Sequence, residues 1–291
     1  MLALAGAFLY SWKPLWVKLL YGYGIDADTQ LALRMLIALP FYAGYALYTL
    51  RNRQRKGEIT DLGMKAVGLA MLTGLLGNYL APYLDFVGLK YITAEFERLI
   101  LFTYPTFVAL IAWWSFRDRP SMALVASLAL TYAGLALIFV KDLSSFGPQV
   151  ATGTALVMGC SVAYAFYMAW SKWPIARMGS ALFTSLSMLS ATAALVAQFA
   201  LRHPFGALAV PAPAMALAAA MAIGSTVLPS FLVSEAIARM GPGPASVTGG
   251  AGPIMTTLLA VVLLGEPLTG WHIAGMALVI AGVMVLSRRR A

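Results

Sequence analysis

Apolar residues in this chain come in runs, and the runs are too long and too numerous to form a water-soluble core. A helix crossing about 30 Å of hydrocarbon needs roughly 20 consecutive, mostly apolar residues. Ten stretches approach or exceed that length, near 2–20, 29–50, 64–89, 94–116, 121–140, 151–171, 180–201, 212–236, 244–264 and 270–287. Short connections with turn chemistry separate them, among them Gly22-Tyr23-Gly24, Gly147-Pro148, Pro211-Ala212-Pro213 and Gly241-Pro242-Gly243-Pro244. The chain is 61% hydrophobic and 11% charged, against about 45–50% and about 25% in an ordinary soluble domain. A water-soluble fold of this size cannot hide so much apolar surface. The expected fold is an all-α integral membrane protein of ten transmembrane helices, with the lipid bilayer as its first partner.

A net charge of +9 would suit a nucleic-acid binder, but the positions of the cations argue otherwise. With ten spans both termini share one side. That side collects 13 Lys and Arg residues, including Arg51, Arg53, Arg55, Lys56, Lys65, Arg117, Arg119 and Arg288 to Arg290. The other side holds 3, Lys90, Lys141 and Arg202. The positive-inside rule then places both termini in the cytoplasm of a bacterial-type inner membrane. The charge is an orientation signal, and no nucleic-acid partner is expected. Lys13 interrupts the first apolar run and no basic segment precedes it, so that run reads as a span rather than a cleavable signal. Tyr21 and Tyr23 at one interface, with Tyr48, Trp113, Trp114, Trp170 and Trp173 at the other, fit aromatic belts.

Several chemistries are missing. Cys160 is the single cysteine, and His203 and His272 are far apart in sequence. That leaves no intrachain disulfide and no His/Cys metal site. No P-loop, HExxH, GxSxG or dinucleotide fingerprint is present. The expectation is no metal, no cofactor, no ATP hydrolysis and no catalytic residues.

Sliding the chain on itself by 148 residues superposes Pro105 on Pro253, Leu110 on Leu258, Ala112 on Ala260 and Ala133-Gly134 on Ala281-Gly282. Asp118 meets Glu266, and Pro82 meets Pro229 within one residue. Two five-span halves, 1–145 and 146–291, must have opposite orientations because five is odd. Inverted repeats of this kind are typical of secondary transporters, whose site lies between the halves near the bilayer midplane.

The stretch Pro253-Ile-Met-Thr-Thr-Leu-Leu-Ala-Val-Val-Leu-Leu-Gly-Glu-Pro-Leu-Thr, continuing to Gly275, Leu278 and Ala281-Gly282, resembles the end of an EamA repeat of the drug/metabolite transporter superfamily. Leu33-Arg34-Met35 and Trp12 are similar to weaker marks of the same repeat. The resemblance implies two tandem repeats around a central cavity. Within the family, the aromatic-rich first half looks most like YddG-type amino-acid exporters. First-half departures, Lys13 after Trp12 and Arg117-Asp118-Arg119 opposite Gly265-Glu266-Pro267, bear on substrate class rather than fold.

Helical spacing gathers the candidate substrate-binding residues. Trp12 and Trp16 share a face of span one, and Asn78 and Pro82 a face of span three beside Tyr79 and Tyr83. Glu97 aligns with Tyr104 in span four, and Tyr164 sits beside Tyr167 in span six. Together they would form an aromatic vestibule with few hydrogen-bonding groups, a usual composition for a small-molecule pocket. Ionisable residues inside spans are costly and default to functional candidates. Lys13 and Glu97 qualify, whereas Arg34 reads better as snorkelling or as part of a structural ion pair, and Glu95 as a solvated loop charge. The Gly- and Pro-rich start of span nine, including Ser246, Thr248 and Gly249, offers backbone N–H groups to a carboxylate. Lys13 would add charge to that subsite, with Asn78 and Glu97 facing an ammonium.

The expected function is export of small amphipathic metabolites, amino acids with aromatic or large aliphatic side chains foremost, by an alternating-access monomer. An intramembrane enzyme, a channel, and a transporter of nucleobases, drugs or sugar phosphates stand as alternatives.

Overall fold

The computed structural model describes residues 2–56, 63–116, 122–242, 245, 256, 259–265 and 269–287. It is helical wherever regular structure is described, and six helical stretches among the described residues are long and apolar enough to cross a membrane. They are Ala27–Arg55, Met64–Gly88, Ala94–Ser115, Gln149–Met178, Ser180–Arg202 and Ala212–Met240. Large apolar side chains such as Met64, Trp114, Leu201 and Val262 are exposed on the outside, as expected of a surface that meets lipid rather than water.

The first expected span is not one helix. It is α1 (Leu2–Ser11) followed by α2 (Lys13–Gly22), with Trp12 between them. Pro14 is the cause: it has no N–H, and its ring displaces the carbonyl four residues back, which belongs to Tyr10. That orphaned carbonyl accepts a hydrogen bond from Nη2 of Arg98. The fourth span divides in the same way, into α6 (Ala94–Leu101) and α7 (Tyr104–Phe116). Here Pro105 frees the Leu101 carbonyl, and the Ser161 hydroxyl donates to it at 3.3 Å.

The third and eighth spans bend without breaking. Between α4 (Met64–Gly74) and α5 (Ala81–Gly88) the chain widens into a π-helical turn, Leu75–Leu80, just ahead of Pro82. Between α11 (Ala212–Ala222) and α12 (Leu228–Met240) it does the same at Ile223–Val227, just ahead of Pro229. A wider turn hydrogen-bonds i to i+5 and so absorbs a residue whose N–H is missing. Leu75 and Ile223 are separated by the same 148 residues as the sequence offset.

The remaining helices are α3 (Ala27–Arg55), α8 (Met122–Phe146), α9 (Gln149–Met178), α10 (Ser180–Arg202) and α13 (Gly270–Ser287). The Asp26 carboxylate caps the N-terminus of α3 through the Thr29 N–H at 2.7 Å, and Arg53 Nη2 caps the C-terminal Met178 carbonyl of α9 at 2.6 Å. In the interior α9 packs against α4, α5, α6 and α7, while α10 packs against α3, α4 and α12. On one flank α8 and α13 pair closely at two glycines: a Cβ on Gly134 would sit 2.4 Å from the Gly275 carbonyl oxygen. Backbones approach this closely only where side chains are absent.

Candidate substrate site

Both halves of the chain line a cavity of about 120 Å³. By a comparable measure one water needs about 10–15 Å³, so the space holds several waters or one small organic molecule. From the first half its wall takes Tyr10, Lys13, Arg34, Asn78, Pro82, Arg98 and Tyr104; from the second it takes Cys160, Tyr164, Met168, Met188 and Thr226. The helix breaks put these residues there. Lys13 opens α2 directly after the Trp12 interruption, Tyr104 opens α7, and Asn78 and Thr226 lie in the two π turns.

Five of the expected site residues line this cavity: Lys13, Asn78, Pro82, Tyr104 and Tyr164. The Tyr104 and Tyr164 rings meet edge to face at 5.1 Å, and Tyr164 stacks on Tyr167 at 5.5 Å. Tyr167 supports the wall from behind, packed so tightly on Gly77 that a Cβ there would lie 2.4 Å from the tyrosine ring. Asn78 is committed through its amide, which donates to Ser187 Oγ at 2.9 Å.

The other expected residues lie elsewhere. Trp12 and Trp16 stack on each other at 5.7 Å and are not among the residues that line the cavity. Tyr79 and Tyr83 join a polar network where α3, α5 and α10 meet. Tyr79 donates to Gln198 at 2.7 Å, Gln198 donates to Asp28 at 2.9 Å, and Arg202 donates to the Tyr83 hydroxyl at 2.8 Å. Neither tyrosine is among the residues that line the cavity, although Asn78 and Pro82 next to them are. Ser246, Thr248 and Gly249 lie outside the described residues.

Glu97 is fully buried and does not line the cavity. It stands behind Lys13, whose Nζ lies 3.3 Å from Glu97 Oε1 and 2.5 Å from Asp85 Oδ2. Asp85 is also fully buried. One ammonium thus faces two carboxylates taken from α5 and α6, and Lys13 is charge-compensated from behind. Glu95, expected in solvent, is buried as well. Arg34 does not snorkel: it lies seven residues into α3, about 10 Å along the axis, and is 4% exposed. Its guanidinium sits over the Phe86 ring at 5.1 Å, a cation–π contact. Asp85 and Arg98 are site residues to which the sequence assigns no role, and Arg34 is one it reads as snorkelling or ion-paired. All three are ionisable residues within apolar runs, which was the signal available.

Once this geometry is set beside known proteins, the family is clear. Residues 1–140 and 151–288 each match the EamA-like transporter family. The chain belongs to that family. Among curated relatives, the Bacillus subtilis (strain 168) protein named uncharacterized transporter YcbK is 29% identical over 278 residues, spanning 91% of this chain and 85% of its own. An uncharacterized transporter of Synechocystis sp. is 25% identical over 261 residues, with 88% and 78% covered. A protein of known crystal structure superposes with a TM-score of 0.68 at 19% identity, covering 99% of this chain and 96% of that one, which shows a shared fold. Membership of the EamA-like family makes this a multi-pass membrane transporter.

Proposed function

We propose that this EamA-like protein is a secondary transporter that carries small amphipathic metabolites outward by alternating access, amino acids with aromatic or large aliphatic side chains foremost. The observation that carries the reading is the cavity to which both halves contribute, walled by Tyr10, Tyr104, Tyr164 and Met168 with a few polar groups. Such a composition favours a solute with an apolar body and a small charged head. The outward direction rests on the resemblance to YddG-type amino-acid exporters.

Alternating access needs two halves that rock around a fixed site. Three features support inverted halves at 1–145 and 146–291: the separate family matches, the paired π turns before Pro82 and Pro229, and the shared 148-residue offset. The 13 to 3 distribution of cations supports ten spans with cytoplasmic termini in the inner membrane. A cavity contained within one chain supports a functional monomer.

The test is counterflow in proteoliposomes without ATP. Vesicles preloaded with unlabelled L-phenylalanine or L-leucine should accumulate the labelled amino acid, and vesicles preloaded with uracil or glucose 6-phosphate should not. Accumulation driven only by the latter two, or by none of the four, overturns the amino-acid reading.

A further inference from the structure

The charged side chains that line the cavity, among the described residues, are all cationic: Lys13, Arg34 and Arg98. They are not equally available. Lys13 is held by Asp85 and Glu97. Arg98 donates through Nη2 to the orphaned Tyr10 carbonyl, its Nε having no acceptor among the described residues. Arg34 has no ion pair within 4 Å among the described residues, and its Nε and Nη2 have no hydrogen-bond acceptor there. Those two nitrogens are themselves buried, while the residue lines the cavity, so the guanidinium meets a solute as an uncompensated cation whose N–H groups donate to a carboxylate.

The geometry points to Arg34 as the residue that receives the substrate's carboxylate, in a cavity that requires an anionic group and does not require an ammonium. A buried cation without a counter-charge is strongly unfavourable unless something supplies one. Phe86 below the guanidinium offers only a ring face. The nearby acids, Asp85 and Glu97, are buried behind Lys13 and do not line the cavity. A carboxylate arriving with the solute completes Arg34, and its apolar body then lies against Tyr104 and Tyr164. This assignment rests on the transporter reading of the cavity and narrows it to one chemical class. Organic monocarboxylates with an aromatic or aliphatic body are substrates, and amino acids are recognised through their carboxylate end.

Binding to the purified, detergent-solubilised full chain tests the assignment independently of flux. The probes are 3-phenylpropanoate and its neutral isostere 3-phenylpropanamide, read by ligand-induced thermal stabilisation, with L-phenylalanine as a third ligand. The parent should bind the carboxylate about 10- to 100-fold more tightly than the amide, the range of one charge-assisted hydrogen-bonded contact. Arg34→Gln should abolish that preference and leave amide binding within about threefold. Arg34→Lys, which keeps the charge but not the planar fork, should restore part of it. If Arg34→Gln fails to fold, Arg34→Lys decides alone: weakened 3-phenylpropanoate with unchanged amide upholds the assignment. Equal weakening of both ligands, or a parent that does not distinguish them, overturns it. Failed counterflow with intact carboxylate preference would instead refute the amino-acid transport reading and leave the Arg34 site standing.

Discussion

Removing Lys13 should damage the protein more than removing either of its partners, and removing all three charges should repair most of the damage. In Lys13→Met the carboxylates of Asp85 and Glu97, both fully buried, lose the ammonium that faces them at 2.5 and 3.3 Å. Breaking a buried pair by deleting one member costs about 3–5 kcal/mol, because the remaining charge is left uncompensated. Here two neighbouring carboxyl groups are left without a cation, so the upper end applies. Asp85→Asn forfeits a charge-assisted hydrogen bond of about 1.5–3 kcal/mol, but it leaves Lys13 paired with Glu97 and removes a carboxylate from beside another. Glu97→Gln loses the longer contact and should be the mildest. In the triple variant no ionised side chain of the three is left, and replacing a buried ion cluster by neutral groups of similar shape is often close to neutral.

The chain supplies its own reporter. Cys160 is its single cysteine and is buried, and a cavity of about 120 Å³ is too small for a bulky maleimide dye. Dye reactivity on heating in detergent therefore reports unfolding. The expected order of unfolding temperatures is parent, Glu97→Gln, Asp85→Asn, then Lys13→Met, with the triple variant well above Lys13→Met. A Lys13→Met protein as stable as the parent, or a triple variant no better than that single variant, would refute the charge accounting.

Gly134→Ala should cost about 1–3 kcal/mol by forcing α8 off α13, since its Cβ would meet the Gly275 carbonyl at 2.4 Å; Gly44→Ala, with nothing within 4 Å, should leave the unfolding temperature unchanged or slightly raised. Tyr104→Ala and Tyr164→Ala should each lower L-phenylalanine counterflow about tenfold, the scale of a lost aromatic contact with its buried area. Tyr83→Phe, which removes only the contact with Arg202, should leave counterflow within about twofold; an equal loss at Tyr83 would place the vestibule on the wrong face of α5. In a Cys160→Ser background, cysteines at positions 26 and 144 should react with an impermeant maleimide applied from outside, and one at position 54 should not.

The membrane class and most spans were legible because apolar run length is a one-dimensional signal. The breaks at Trp12 and after Leu101 were less so, although Pro14 and Pro105 are in plain view. Proline within a span is compatible with a kink, a π turn or a full interruption, and neighbouring groups select among them. The Tyr10 carbonyl finds Arg98 and the Leu101 carbonyl finds Ser161, partners that periodicity along one helix cannot reveal. The same limit applies to the site. Lys13 and Glu97 stood out as ionisable residues within apolar runs, but their common partner Asp85 lies 72 residues from Lys13. Arg34 is visible too, and the expectation that it snorkels or joins a structural ion pair rests on its distance from the end of a run. Burial over Phe86 decided otherwise. Helical spacing sets Tyr79 and Tyr83 beside Asn78, but their hydroxyls meet Gln198 and Arg202 of α10, partners more than a hundred residues away that spacing along one helix cannot show.

The interrupted helices also explain why so many charges gather in one apolar region. A proline in a lipid-embedded helix leaves a carbonyl that water cannot satisfy, so a side-chain donor from another span must reach it. Arg98 meets that need at Tyr10, which draws a guanidinium to the cavity wall. The same interruption starts a new helix at Lys13, turning an ammonium toward Asp85 and Glu97. These charges therefore have structural work that would persist in an empty protein. Arg34 does not share it: no proline-freed carbonyl lies on its unpaired edge, and Asp85 and Glu97 face Lys13. Among the three cations on the wall, Lys13 has two carboxylates and Arg98 a freed carbonyl, whereas Arg34 has neither among the described residues. A charge that the fold does not use for its own support, on the wall of a cavity that both halves line, is best accounted for by the solute that fills that space.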